Sequence, residues 1–114
     1  MIRNFYQAVP TTQDRCHDGE GTVKIVELFT EFATKMQFLH YTVLPPGTSI
    51  GSHKHGDDEE FYIILEGSGE MEVGGAKHNV SAGDVIINEP FGTHGLRNTS
   101  DTHELKILVF EVKK

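Results

Sequence analysis

Short apolar runs separated by turn residues dominate this chain. The runs are rich in Val, Ile, Phe and Tyr, and clusters of Gly, Pro, Asn and Asp lie between them, a pattern typical of antiparallel strands. Gly74 and Gly75 separate two such runs and predict a two-residue β-hairpin. Helical periodicity is weak, so segment 30–37 is expected to form a loop or one short helix. The predicted strands are residues 23–29, 38–44, 60–65, 70–73, 84–87 and 105–112.

The short spacing of these runs predicts an all-β fold, either a small antiparallel barrel or a sandwich. A length of 114 residues suits one domain, residues 1–114, and leaves no room for a second core. Residues 1–22 precede the first predicted strand and are expected to form an N-terminal arm.

Side-chain alternation divides the run that begins at Glu60 into two faces. The odd positions, Phe61, Ile63 and Leu65, are all apolar, whereas the even positions include Glu60 and Tyr62. If the even face points into the barrel, the odd face must be covered by another strand, the N-terminal segment or a second subunit. A homodimer is the natural expectation.

The charge distribution excludes some classes of partner. The formal net charge is −7 and the ten basic residues are scattered, which argues against nucleic-acid binding. No run approaches the ~20 apolar residues that cross a membrane, and the start of the chain lacks the apolar core of a signal peptide, so a cytoplasmic protein is expected. The single Cys16 fits a reducing compartment; we interpret it as an ordinary loop or packed thiol, the alternative being a thiolate activated by His17.

Three histidines and one glutamate form a candidate metal site. His53 and His55 are two residues apart, so both imidazoles face the same way in a strand, and Glu60 opens the next strand after a short acidic turn. His94 begins another strand-like run. This nitrogen and oxygen set suits one divalent ion such as Fe, Mn, Co, Ni or Zn. Because the chain contains seven histidines, the His53–His55 pair alone does not establish a site.

The spacing of further residues resembles a known family. Residues 47–67 read Gly, five residues, His-x-His, four residues, Glu, six residues, Gly, and resemble the first motif of the cupin superfamily. Residues 83–98 resemble the second motif, with Gly83, His94 and Asn98 in register. The resemblance implies a single cupin domain, a small jelly-roll barrel, with a metal ion held by His53, His55, Glu60 and His94.

The second motif departs from the family pattern in one turn. Glu89 stands where the motif has Pro and Phe91 where it has Gly, because Pro90 and Gly92 are displaced by one position. The interval from Gly83 to His94 is unchanged. We therefore expect a reshaped turn with His94 still in place.

Four protein ligands on an octahedral ion leave two positions for an anionic oxygen donor. The expected function is that of a metal-dependent enzyme, an oxygenase, decarboxylase or isomerase, acting on a small oxygen-rich or carboxylated molecule. The alternative is a non-catalytic metal-containing module that binds a small molecule or regulates. Fold and metal alone do not select between them. A phosphosugar isomerase is disfavoured because alternation directs Arg97 and Lys54 away from the ligands.

Tyr62 and His40 are the candidate catalytic residues beside the metal, the alternatives being a barrel-lining tyrosine and a structural histidine. Glu66 shares the Glu60 face. Asn98 is interpreted as a hydrogen bonder at a turn or strand end. The remaining polar groups are interpreted as solvated surface: His17, His78, His103 and the acidic turn at residues 57–59.

Overall fold

The computed structural model describes all 114 residues and confirms an all-β fold, with ten strands and one 3₁₀ turn at Cys16–Asp18. The strands are β1 (Thr11–Asp14), β2 (Thr22–Glu27), β3 (Met36–Leu44), β4 (Ser49–Lys54), β5 (Asp58–Glu66), β6 (Ser68–Val73), β7 (Ala76–Ser81), β8 (Val85–Asn88), β9 (Thr93–Arg97) and β10 (Leu105–Lys113).

The strands form two antiparallel sheets. One has six strands in the order β1-β2-β3-β10-β5-β8, and the other has four in the order β4-β9-β6-β7. All six predicted runs are strands, with ends displaced by a few residues. Strand β1 lies within the segment that we predicted to be only an arm. Its four residues are polar and exposed, so no apolar pattern marks them, and pairing with β2 makes the strand.

The predicted hairpin connects β6 to β7. Gly74 has a φ of 57° and Gly75 a φ of 84°, the left-handed pair that a two-residue hairpin turn needs, and Val73 pairs with Ala76. Segment 30–35 is an irregular loop, and β3 begins at Met36. The loop alternative for that segment is therefore correct.

Alternation along β5 directs the even positions into the space between the sheets. Tyr62 and Ile64 are buried there with apolar residues of both sheets, and Glu60 enters the same interior. Phe61 and Ile63 remain half-buried on the outer face. Strand β5 therefore delivers one carboxylate to the centre of the barrel.

The N-terminal arm covers part of the outer face of the larger sheet. Phe5 stacks on Tyr41 of β3 with ring centroids 4.2 Å apart, and Tyr6 meets the same ring edge-on at 5.7 Å. The N-terminal segment, one of the three elements that we expected to cover the outer face, therefore covers part of it. No helix of the structure has the length and apolarity that membrane crossing requires.

Candidate metal centre

The four predicted ligands come from both sheets and meet between them. His53 of β4 and His94 of β9 are direct cross-strand partners in the four-stranded sheet. Glu60 reaches the same point from β5 in the other sheet, and His55 follows the end of β4. One ligand atom from each of the four residues lies within 4.8 Å of all the others.

The distances within the cluster fit a single small ion. His55 Nε2 lies 3.1 Å from both His53 Nε2 and His94 Nε2, and His94 Nε2 lies 3.0 Å from a Glu60 carboxylate oxygen. Neighbouring donor atoms around an ion with bonds of about 2.0–2.2 Å are separated by about 3 Å. The donor set is therefore already spaced for one small metal ion.

Hydrogen bonds on the far side of two rings determine which nitrogen faces the cluster. His53 Nδ1 donates to the Gly51 carbonyl oxygen at 2.8 Å, and His55 Nδ1 donates to Asp58 Oδ2 at 3.3 Å. In the neutral rings both Nε2 atoms then present lone pairs to each other across 3.1 Å. A shared cation relieves that repulsion, so the tautomers fit a metal ion.

The electrostatic environment keeps ligands in their metal-binding forms. Burial, followed by the nearby His17, His94 and His55, lowers the pKa of His53 to about 4, although the hydrogen bond that His53 donates to the Gly51 carbonyl raises it. Burial alone would raise the pKa of Glu60, but the hydrogen bond with His94 and the other imidazoles lower it below its ordinary value. A neutral His53 and an ionised Glu60 are the states that bind a cation.

We predicted that the whole acidic turn at residues 57–59 is solvated, but part of it is buried. Asp57 is exposed, but Asp58 is only 6% exposed and accepts the hydrogen bond from His55. The second carboxylate oxygen of Asp58 has no hydrogen-bond partner. The alternation of side chains along β5 could have predicted this burial, because Asp58, Glu60 and Tyr62 share one face of the strand. Asp58 therefore orients the imidazole of a candidate metal ligand.

The displaced turn of the second motif keeps a left-handed residue. Phe91 has a φ of 61°, a conformation that glycine adopts easily and aromatic residues rarely. The Phe91 amide donates to the Gly56 carbonyl, and the His55 amide donates to the Gly92 carbonyl, both at 2.9 Å. These bonds join the turn to the first motif. His94, which follows this turn, is 1% exposed and lies in the cluster.

A cavity of about 170 Å³ opens on one side of the cluster. His53 and Glu60 form part of its wall, and apolar side chains form much of the rest. No lysine or arginine lines it. The other polar residues in the wall are Gln13, His17, His40, Thr42 and Tyr62.

Both candidate catalytic residues border this cavity. His40 of β3 stacks on Phe38 with centroids 4.4 Å apart, and burial lowers its pKa. Tyr62 meets the His94 ring edge-on at 5.4 Å, and burial followed by the adjacent Glu60 raises its pKa well above the ordinary value. Glu66, by contrast, lies at the end of β5 and pairs with Lys106 at 2.9 Å.

His17 is exposed, as we interpreted it from the sequence, but its ring also contacts the cluster. It stacks on His53 with centroids 3.6 Å apart and borders the cavity. No sequence pattern links positions 17 and 53. The adjacent Cys16 is buried and burial raises its pKa, so it is a packed thiol.

The remaining predicted positions follow expectation. His78 and His103 are exposed. Asn98 donates to the carbonyl oxygens of Leu44 and His103 at 2.9 and 2.8 Å, which is a structural hydrogen-bonding role.

The two basic residues near the motifs point away from the ligands, as alternation predicted. Arg97 and Lys54 are both exposed, and Arg97 lies 3.4 Å from Glu20. Neither residue lines the cavity beside the metal cluster.

Comparison with known protein families agrees with this fold and ligand arrangement. The cupin domain family matches residues 40–111, which include the four clustered side chains. This chain belongs to the cupin family. The resemblance of the two motifs to this family and the expected fold are thereby confirmed.

Several cupins resemble the chain closely. An oxalate-binding protein of Thermotoga maritima is 31% identical over 90% of this chain and 86% of its own length. The crystal structure of a predicted oxalate decarboxylase from Thermotoga maritima superposes with a TM-score of 0.95 over the whole of both chains, at 29% identity. A 5-nitrosalicylic acid 1,2-dioxygenase of Bradyrhizobium is 29% identical over 82% of this chain, which spans only 42% of that enzyme.

Proposed function

We propose that this cupin holds one divalent metal ion through His53, His55, Glu60 and His94 and uses it to bind a small carboxylate anion. The observation that carries the proposal is the convergence of four donor atoms beside a small cavity, with His53 and Glu60 in the cavity wall. The lone pairs of His53 and His55 face each other, and Glu60 supplies one negative charge.

The cavity has room for a small ligand. A cavity of about 150 Å³ accommodates benzene, which has six non-hydrogen atoms. The present cavity of about 170 Å³ therefore accommodates oxalate or a carboxylate of similar size.

The charge of the site favours an anion. A divalent ion with three neutral imidazoles and one carboxylate has a net charge of about +1, and no basic side chain lines the cavity. The metal is then the positive group that a carboxylate meets. The name of the oxalate-binding relative from Thermotoga maritima supports the same ligand class.

We propose an enzyme as the first form of this function, with the bound metal supplying Lewis acidity to the carboxylate oxygens. His40 is neutral at physiological pH because burial lowers its pKa, so its free ring nitrogen can accept a proton from a ligand in the cavity. Tyr62 keeps its proton, because its pKa is raised, and can donate a hydrogen bond. These residues are the proposed catalytic pair.

The second form is a carrier or regulatory module that binds the anion without turnover. It is favoured by the name of the Thermotoga maritima relative, an oxalate-binding protein. In this form His40 and Tyr62 contribute only to the cavity wall.

Metal analysis followed by calorimetry tests the proposal. Untagged protein is expected to contain, or to take up, one divalent ion per chain, and the loaded protein is expected to bind oxalate. Absence of metal binding on reconstitution, or metal-loaded protein that binds neither oxalate nor similar small carboxylates, would refute it. Incubation of the complex with oxalate, analysed for carbon dioxide and formate, separates enzyme from carrier. In an enzyme, His40→Ala lowers turnover more than oxalate affinity.

We also propose that a second copy of the chain covers the open part of the outer sheet face. Cross-strand register aligns two apolar rows over β10, β5 and β8, and Val85 and Ile87 of the edge strand are more than half exposed. An uncharged patch of this kind is self-complementary about a two-fold axis. The rows are Leu108, Ile63, Val85 and Phe110, Phe61, Ile87.

Sedimentation measures this association. The wild-type chain is expected to be a dimer and Ile87→Lys a folded monomer, with Lys77→Glu on the other sheet as a control that remains dimeric. A monomeric wild-type protein would refute the dimer proposal and leave the metal site unaffected.

A further inference from the structure

The loop that carries His17 lies over the metal cluster in an unusual backbone conformation. Arg15, His17 and Asp18 have φ values of 50°, 50° and 61°, although none of them is glycine. Such residues persist only where the surrounding structure holds them. The His17 ring is inclined by only 11° to the His53 ring on which it stacks.

Backbone contacts attach this loop to the strand that carries His53. Gly19 and Gly51 interlock: a Cβ atom on Gly51 would overlap the His17 carbonyl oxygen, and one on Gly19 would overlap the Ser49 carbonyl oxygen. The Ser49 amide donates to the Glu20 carbonyl, and the Glu20 amide donates to Ser49 Oγ, both at 2.9 Å. The position of His17 relative to His53 is therefore set by the fold.

The same ring borders the cavity in which the proposed anion lies. His17 shares that wall with the two metal-cluster residues His53 and Glu60. Two imidazoles of the cluster use their second nitrogen on the protein, since His53 donates to Gly51 and His55 to Asp58. His17 lies outside the ligand set, and it both stacks on the cluster and borders the cavity.

We propose that His17 is a ligand-binding residue, whose ring N–H donates a hydrogen bond to a carboxylate oxygen of the anion held at the metal. The inference rests on the proposed function and assigns the N-terminal loop a role in recognising the anion. A hydrogen bond to a charged acceptor contributes enough that its removal is expected to weaken anion binding by about 10- to 100-fold. Stacking on His53 alone would contribute nothing to anion affinity.

Two substitutions separate the hydrogen bond from the stack. His17→Phe keeps a flat ring on His53 and removes both nitrogens. His17→Asn removes the ring, keeps an N–H donor and tolerates the left-handed backbone. His78→Phe, on the exposed hairpin strand β7, is the matched control. Each variant is loaded with Mn²⁺, its metal content is measured, and oxalate binding is followed by calorimetry.

We expect His17→Phe to retain full metal content and to bind oxalate about 10- to 100-fold more weakly, His17→Asn to retain more affinity than His17→Phe, and His78→Phe to match the wild type. Wild-type oxalate affinity in His17→Phe would overturn the inference and leave the proposed function standing. Loss of metal from His17→Phe would also overturn it, because His17 would then act on His53. Metal-loaded wild type that does not bind oxalate would instead refute the proposed function itself.

Discussion

Replacing Asp58 tests whether a carboxylate outside the ligand set controls metal affinity. Asp58 is buried, and its Oδ2 accepts a hydrogen bond from His55 Nδ1 at 3.3 Å, so that His55 Nε2 faces the other candidate ligands. Removing such an outer partner lowers metal affinity by about 10- to 100-fold. We expect the loss of metal affinity to lie at the lower end of this range in Asp58→Asn, which keeps a neutral acceptor, and at the upper end in Asp58→Ala.

The effect can be measured as metal-induced stabilisation. With free metal at about 1,000 times the wild-type Kd, binding stabilises the fold by about 4.1 kcal/mol. A 100-fold weaker Kd in Asp58→Ala leaves about 1.4 kcal/mol at the same metal concentration. Denaturant unfolding with and without metal gives this difference directly, and titration against a competing chelator gives the Kd.

Two comparisons distinguish orientation of His55 from general damage to the fold. Asp57→Ala changes the exposed neighbour, whose ion pair with Lys114 lies on the surface, and is expected to leave metal affinity unchanged. The metal-free Asp58→Ala protein is expected to differ little in stability from the wild type, because loss of the hydrogen bond from His55 is offset by removal of a buried carboxylate oxygen that has no partner. Wild-type metal affinity in Asp58→Ala, or an equal loss in Asp57→Ala, would refute the reasoning.

Three further outcomes are expected. His94→Ala removes a buried ligand and should reduce metal content on reconstitution to near zero; full occupancy would exclude His94 as a ligand. The pKa of His53 is about 4 in the fold and 6.5 ordinarily, so between these pH values the unfolded chain binds more protons than the folded metal-free protein. The unfolding free energy of the metal-free protein should therefore fall, by at most about 3 kcal/mol, as pH drops from 6.5 to 4. An unfolding free energy that does not change with pH in denaturant titrations would contradict the shift. Gly51→Ala should destabilise the fold, because its Cβ would overlap the His17 carbonyl oxygen, whereas the Cβ of Gly56→Ala would enter open space and is expected to have little effect. Equal unfolding midpoints for the two variants would disprove the interlock.

The local pattern of the sequence was sufficient to predict most strands and the composition of the cluster. Alternation along β5 placed Glu60 and Tyr62 inside, because neighbouring side chains in a strand must point to opposite faces. Gly74 and Gly75 predicted the hairpin, because its turn requires positive φ at both positions. The motif spacing brought His53 and His94 into one candidate site, and the structure makes them cross-strand partners.

The tertiary structure alone decided which residues surround the cluster. His17 reaches His53 because two glycines let the N-terminal loop approach β4, a contact between distant segments that no local period encodes. Asp58 belongs to an acidic stretch that reads as solvated, and its burial depends on the packing of β5. Local pattern sets which face of a strand a side chain occupies, whereas long-range packing sets what that side chain meets. For this cupin the sequence predicted the four clustered residues, and the fold determined their surroundings.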